Sequence, residues 1–126
     1  MHWASEWIGL PHEKLGRGPQ GFDCLGLFIA LHKARFGRVI EDPLCTMQKA
    51  VRLRVADGYR DDVIEVVRPD VAEGDALLFL ADGRPLHVGF ALDGRDMLHT
   101  ETHASCVECW TGPRWIGKLE GIYRFV

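Results

Sequence analysis

Three residues of this 126-residue chain have the types and order that nucleophilic chemistry requires: Cys24, His87 and His99. Cys24 heads Gly21-Phe22-Asp23-Cys24-Leu25-Gly26-Leu27, the opening of an apolar segment that reads as a helix. A thiol attacks as its thiolate, and both a helix N-terminus and a neighbouring imidazolium lower a thiol pKa. The sequence therefore predicts an activated Cys24. His87, in the run Leu86-His87-Val88-Gly89-Phe90, is the candidate to take the thiol proton and return it to a leaving amine. The backbone N–H of Cys24, free at a helix start, is a ready oxyanion donor. His99, in Met97-Leu98-His99, would hold the tautomer of His87 from its far nitrogen.

Elements must bring these groups together. Trp3, Trp7 and Ile8 recur at helical spacing and predict a short helix that ends at Gly9-Leu10-Pro11. Residues 16–21, with three glycines and a proline, read as a loop. Asp23 reads as the N-cap of a helix running to about Phe36, with Gly37 as its C-cap. His32, Lys33 and Arg35 mark the end expected to reach water and complement the helix dipole. A second helix is expected from Leu44 to about Val55. The period then changes. Strands are expected at 63–67, 76–81, 86–92, 97–100, 106–110 and 121–126, separated by turn residues such as Glu73-Gly74-Asp75 and Asp93-Gly94-Arg95. Helices first and strands afterwards predict a single α+β domain over 1–126, with N-terminal helices packed on an antiparallel sheet of five or six strands.

Register decides whether the two histidines meet. In the strand at 86–92, Leu86, Val88, Phe90 and Leu92 form an apolar face, and His87, Gly89 and Ala91 a small one with room beside the imidazole. A two-residue turn at Asp93-Gly94 would turn His87 and His99 to opposite faces. A three-residue loop, Asp93 to Arg95, or a bulge nearby, would put them on one face, and this is the expected arrangement.

Composition excludes several classes. Fifteen Lys and Arg against eighteen Asp and Glu give a net charge of −3, without the basic face that nucleic acid requires. No apolar run is long enough to span a bilayer. Met1-His2-Trp3 begins no cationic, then apolar, leader, so synthesis in the cytoplasm without a secretory signal is expected. The four cysteines (Cys24, Cys45, Cys106 and Cys109) are unevenly spaced and are expected as free thiols. His99, His103, Cys106 and Cys109 could be read as a zinc array, but the pairs lie closer together than structural zinc sites usually set them. The segment also lacks His-Glu-x-x-His order. No metal is expected. Because Cys106 and Cys109 have opposite parity in a strand, one of them is expected to enter the core.

At these residues the chain resembles the NlpC/P60 family of cell-wall cysteine peptidases. The matching pieces are Gly21–Leu27 around Cys24, Glu73-Gly74-Asp75-Ala76-Leu77-Leu78-Phe79, His87-Val88-Gly89-Phe90 and Met97-Leu98-His99, in the family's order across nearly the whole chain. The resemblance implies a papain-like fold and a Cys24, His87, His99 triad without cofactor. It implies hydrolysis of peptidoglycan stem peptides, typically between D-glutamate and a diamino acid. The openings Gly9-Leu10-Pro11 and Gly16-Arg17-Gly18-Pro19 look like the phage-tail and prophage branch. An enzyme of that branch would act at the cell wall, with tail proteins as partners. Asp23 and His12 occupy positions that contact substrate in relatives. His12 stands where the family commonly has Tyr, and Leu25 where it commonly has Ser. Three other readings stay open: a tail-assembly scaffold that keeps the fold without catalysis, a papain-like amidase on another substrate, and a zinc module over 99–109.

Overall fold

The computed structural model of the chain describes residues 2–40, 63–81 and 84–125. A 3-10 helix at Trp3–Trp7 leads through a loop to the helix α1, Cys24–Phe36. Among the described residues six strands follow: β1 Val63–Glu65, β2 Ala76–Ala81, β3 Arg84–Ala91, β4 Asp96–Thr100, β5 Ser105–Cys109 and β6 Leu119–Phe125. They form one antiparallel sheet in the order β1-β6-β2-β3-β4-β5. The expected α+β architecture of N-terminal helix on antiparallel sheet is what the chain adopts. The second expected helix, Leu44 to Val55, and Cys45 lie outside the described residues.

The caps of α1 follow from its sequence. The Asp23 carboxylate accepts the Gly26 N–H at 2.7 Å, satisfying one of the orphan donors of the first turn. Gly37 ends the helix at φ 67°, a left-handed conformation that costs glycine least, and its N–H donates to the Lys33 carbonyl. Lys33 and Arg35 are exposed as expected. His32 is not: it is buried, and its Nε2 donates to the Gly74 carbonyl at 2.7 Å. A carbonyl supplied by the turn before β2 makes this helix-end histidine an interior group.

Period-two alternation splits the sheet into two buried faces. Ala76, Leu78, Val88, Phe90 and Leu98 meet Leu27, Phe28 and Leu31 of α1. Leu77, Phe79, Ala91, Met97 and Ile122 face the other way and are covered by Trp110 and Trp115. The room expected beside His87 for another element or a substrate is taken by protein side chains: Met97 lies over Gly89, and Trp115 stacks on the His87 ring. Phe90 is a hub of the helix side. Its ring meets those of Trp3, Phe28, His32 and Phe36 at centroid distances of 5.8, 5.9, 5.3 and 6.2 Å. Phe90→Ala would leave a cavity among four rings and should cost about 3–5 kcal/mol, read as a lower urea midpoint with activity per folded molecule retained. A loss below about 1 kcal/mol would show that this ring cluster is not a stability centre.

Candidate active site

The β3–β4 connection has the geometry that the histidines need. Asp93 Oδ1 accepts the N–H groups of Arg95 and Asp96, both at 2.8 Å, which curls Asp93, Gly94 and Arg95 into a three-residue loop. Leu92 N–H then donates to Asp96, Ala91 pairs with Met97, and Phe90 pairs with Leu98. This is the odd loop count expected, and it brings His87 and His99 to one face. Their rings meet edge to face, with His87 Nε2 2.6 Å from His99 Nδ1.

The chain of hydrogen bonds continues to a residue that sequence reasoning missed. His99 Nε2 lies 2.9 Å from Glu108 Oε1 on β5. A carboxylate only accepts, so Nε2 carries the proton. Nδ1 of His99 is then an acceptor, and His87 Nε2–H is the donor to it. His87 keeps its Nδ1 lone pair for a thiol proton. The signal for Glu108 was a polar residue alternating with Cys106 on a strand. It became readable only once the β4–β5 register, His99↔Cys106 and Met97↔Glu108, was known. Glu108 is held in turn by Arg114, at 2.7 and 2.6 Å, and by Trp115 Nε1 at 3.0 Å. Burial opposes its ionised form, but the hydrogen bonds from Arg114, Trp115 and His99 outweigh that and hold the carboxyl at about 2.

Burial decides the protonation of the remaining groups. Desolvation pushes His87 down to about 3, with further lowering from His99 and His12. Desolvation also lowers His99, opposed by Glu108. Both imidazoles are neutral at neutral pH.

The half-buried Cys24 is the first residue of α1, so its own N–H has no intrahelical acceptor. Desolvation pushes its thiol up to about 11. The backbone N–H groups of Val88 and Leu25 oppose this, and the Asp23 charge adds to it. The expected lowered thiol pKa is thus overturned: taking the sulfur out of water outweighs the helix start and the backbone donors. The Val88 N–H that acts on this sulfur belongs to the residue after His87. Among the hydrogen bonds of the described residues, none joins Cys24 to His87 itself. The thiol is neutral, and His87 is a neutral base whose tautomer His99 fixes.

The other expected residues lie close by. His12 Nδ1 is 3.1 Å from Thr100 Oγ1, at the end of β4. Asp23 caps the helix and also pairs with Arg17 at 2.7 Å. Of the array His99, His103, Cys106 and Cys109, His99 and Cys106 come together, with Glu108 in place of the other two. Cys24, Cys106 and Cys109 are free thiols. Cys106 and Cys109 are both half-buried, so neither enters the core as expected, because β5 is the edge of the sheet.

Comparison with solved structures places this architecture among known ones. A lipoprotein-like NLP/P60 family protein from Staphylococcus aureus is 23% identical, with a TM-score of 0.70 over 98% of this chain and 39% of that one. An NlpC/P60 family protein from Bacillus cereus is 21% identical, with a TM-score of 0.72 over 97% of this chain and 37% of that one. The NlpC/p60 domain of the peptidoglycan hydrolase SagA is 25% identical, with a TM-score of 0.62 over 97% of this chain and 92% of that domain. The chain thus spans well under half the length of the first two proteins. A comparison with curated proteins gave no match. The profile of the NlpC/P60 family matches residues 9–124, and the chain belongs to that family.

Proposed function

We propose that the protein is a cysteine peptidase acting on peptidoglycan stem peptides, with Cys24 as nucleophile, His87 as base and His99 as its orienting partner. The observation that carries this reading is the hydrogen-bonded run Glu108–His99–His87, ending one residue from the N–H that addresses the Cys24 sulfur. A neutral pair requires general-base catalysis. His87 Nδ1 takes the thiol proton as sulfur attacks the scissile carbonyl, a contact that tightens when substrate fills the site. The Val88 and Leu25 N–H groups stabilise the charge as it forms on sulfur, and the Cys24 N–H stabilises it on the carbonyl oxygen. His87 then protonates the leaving amine, and water hydrolyses the thioester.

Family membership, and the peptidoglycan hydrolase among the solved relatives, support the wall as the substrate source. The bond between D-glutamate and a diamino acid is our choice within it. His12 and Asp23 are the polar groups assigned to substrate binding. Delivery by a phage tail or prophage particle is part of the proposal, supported by the loop openings Gly9–Pro11 and Gly16–Pro19. The test is digestion of purified peptidoglycan with product masses identified. Fragments ending in D-glutamate are expected, and intact stem peptides would refute the substrate assignment.

Glu108 is a positioning residue in this scheme. Glu108→Gln offers His99 an amide that can turn either its oxygen or its nitrogen to Nε2, so the correct tautomer is no longer enforced. A fall in kcat of about 10- to 100-fold with little change in KM is expected. Glu108→Asp should recover part of it. A purely structural Glu108 would lower the urea midpoint in both variants and leave kcat of the folded enzyme unchanged. The folded carboxyl lies near 2, below its ordinary 4.5. Its stability contribution is therefore complete above pH 4.5 and lost as pH falls towards 2.

A further inference from the structure

The proposed reaction uses His99 and Glu108 but leaves Cys106 without a role, although its sulfur lies against both. Cys106 Sγ is 3.7 Å from His99 Nε2 and 3.7 Å from Glu108 Oε1, and those two atoms are 2.9 Å apart. A tetrahedral zinc ion, with bonds of about 2.3 Å to sulfur and about 2.0–2.1 Å to nitrogen or oxygen, sets ligand–ligand edges of about 3.3–3.6 Å. The triangle needs only a few tenths of an ångström of adjustment to match. We propose that His99, Cys106 and Glu108 form an inhibitory site for zinc or a similar thiophilic divalent cation, which switches the peptidase off by capturing the back of its histidine pair.

Nitrogen, sulfur and oxygen donors together suit zinc far better than magnesium or calcium. Three protein ligands leave a fourth position, which water fills from the half-buried side of β5. Glu108 Oε2 remains bonded to Trp115 Nε1 and Arg114, so the carboxylate is oriented before the ion arrives. Arg114 also touches Oε1 and competes with the ion there, but its other nitrogen is already paired with Glu101, and it is half exposed. Glu101, Glu108 and a Cys106 thiolate carry three negative charges against one on Arg114, a local balance that favours a dication. Cys106 is raised by burial and by Glu108, so without metal it is a thiol and binding releases its proton.

The inhibitory consequence rests on the peptidase reading and follows from tautomers. Zinc takes the Nε2 lone pair of His99, so that nitrogen gives up its proton. Neutral His99 then carries its proton on Nδ1 and donates to His87 Nε2, reversing the bond between them. His87 must hold its own proton on Nδ1, the nitrogen that should receive one from Cys24. The Nε2 proton of His99 leaves to solvent and one returns to His87, so the Cys106 proton is the net release. The ion blocks the base without touching the nucleophile.

Binding can be read without activity. Cobalt(II) titrated into chelator-treated protein should give a thiolate-to-metal charge-transfer band in the near ultraviolet. The band should persist in Cys24→Ala and Cys109→Ala and vanish in Cys106→Ala and Cys106→Ser, whose circular dichroism should match the parent. No band, or a band lost in Cys24→Ala and kept in the Cys106 variants, would overturn the site. If peptidoglycan is cleaved, zinc should inhibit reversibly to EDTA, and Cys106→Ala should need at least 10-fold more zinc with its zinc-free rate unchanged. Equal zinc sensitivity would overturn the inhibitory role. A protein that binds cobalt through Cys106 yet cleaves no peptidoglycan would refute the peptidase reading and leave the metal site standing.

Discussion

Cys24→Ala should lower the release of stem-peptide fragments from purified peptidoglycan by at least about 10⁴-fold while the protein stays folded. Removing a covalent nucleophile leaves no path through the thioester, and what remains comes from binding and carbonyl polarisation alone. The change is small and the residue half-buried, so the urea midpoint should move little. Cys24→Ser tests the electrostatics separately. A hydroxyl is far less acidic than the thiol, and a neutral His87 held near 3 by burial is a weak base for it. The serine variant should therefore be nearly as inactive as the alanine one. Equal fragment yields from parent and Cys24→Ala would exclude this sulfur from the chemistry, whatever the family.

Gly26→Ala should destabilise the fold by at least about 2 kcal/mol and take activity with it, although alanine in a helix normally gains about 1 kcal/mol over glycine. A Cβ at Gly26 would run into the carbonyl oxygen of Gly16, well inside contact distance, and would crowd the Asp23 carboxylate. The Gly16 oxygen is backbone and cannot rotate away. It accepts the Asp23 N–H and an Arg17 N–H, both at 3.1 Å. Moving it would loosen the cap that sets the start of α1 and hence the position of Cys24. Gly94→Ala, where a Cβ meets nothing within 4 Å, is the control and should be near neutral. A Gly26→Ala protein as stable as the parent would show that the loop over the helix start yields easily.

Much of this architecture is local and therefore readable in one dimension. Asp23 and Gly37 announce the ends of α1 because capping depends on the residues at the cap. The three-residue loop at Asp93–Arg95 is also local: one carboxylate bonds two neighbouring N–H groups, and the odd count then carries His99 to the face of His87. Chain order and residue type thus determined Cys24 as the nucleophile candidate, His87 as the base candidate and the requirement that such a loop bring His99 to the face of His87.

Tertiary structure decided what depends on groups far apart in sequence. Glu108 joins His99 only because β4 and β5 pair in one register, and Trp115 covers both imidazoles from beyond the last turn. His32 is interior because a carbonyl from the turn before β2 reaches it. The protonation states of Cys24 and His87 reverse the sequence-based expectation, since a helix start and a neighbouring ring are visible in sequence but the loss of water around them is not. Desolvation is set by everything packed around a group, whereas caps and turns are set by the next few residues.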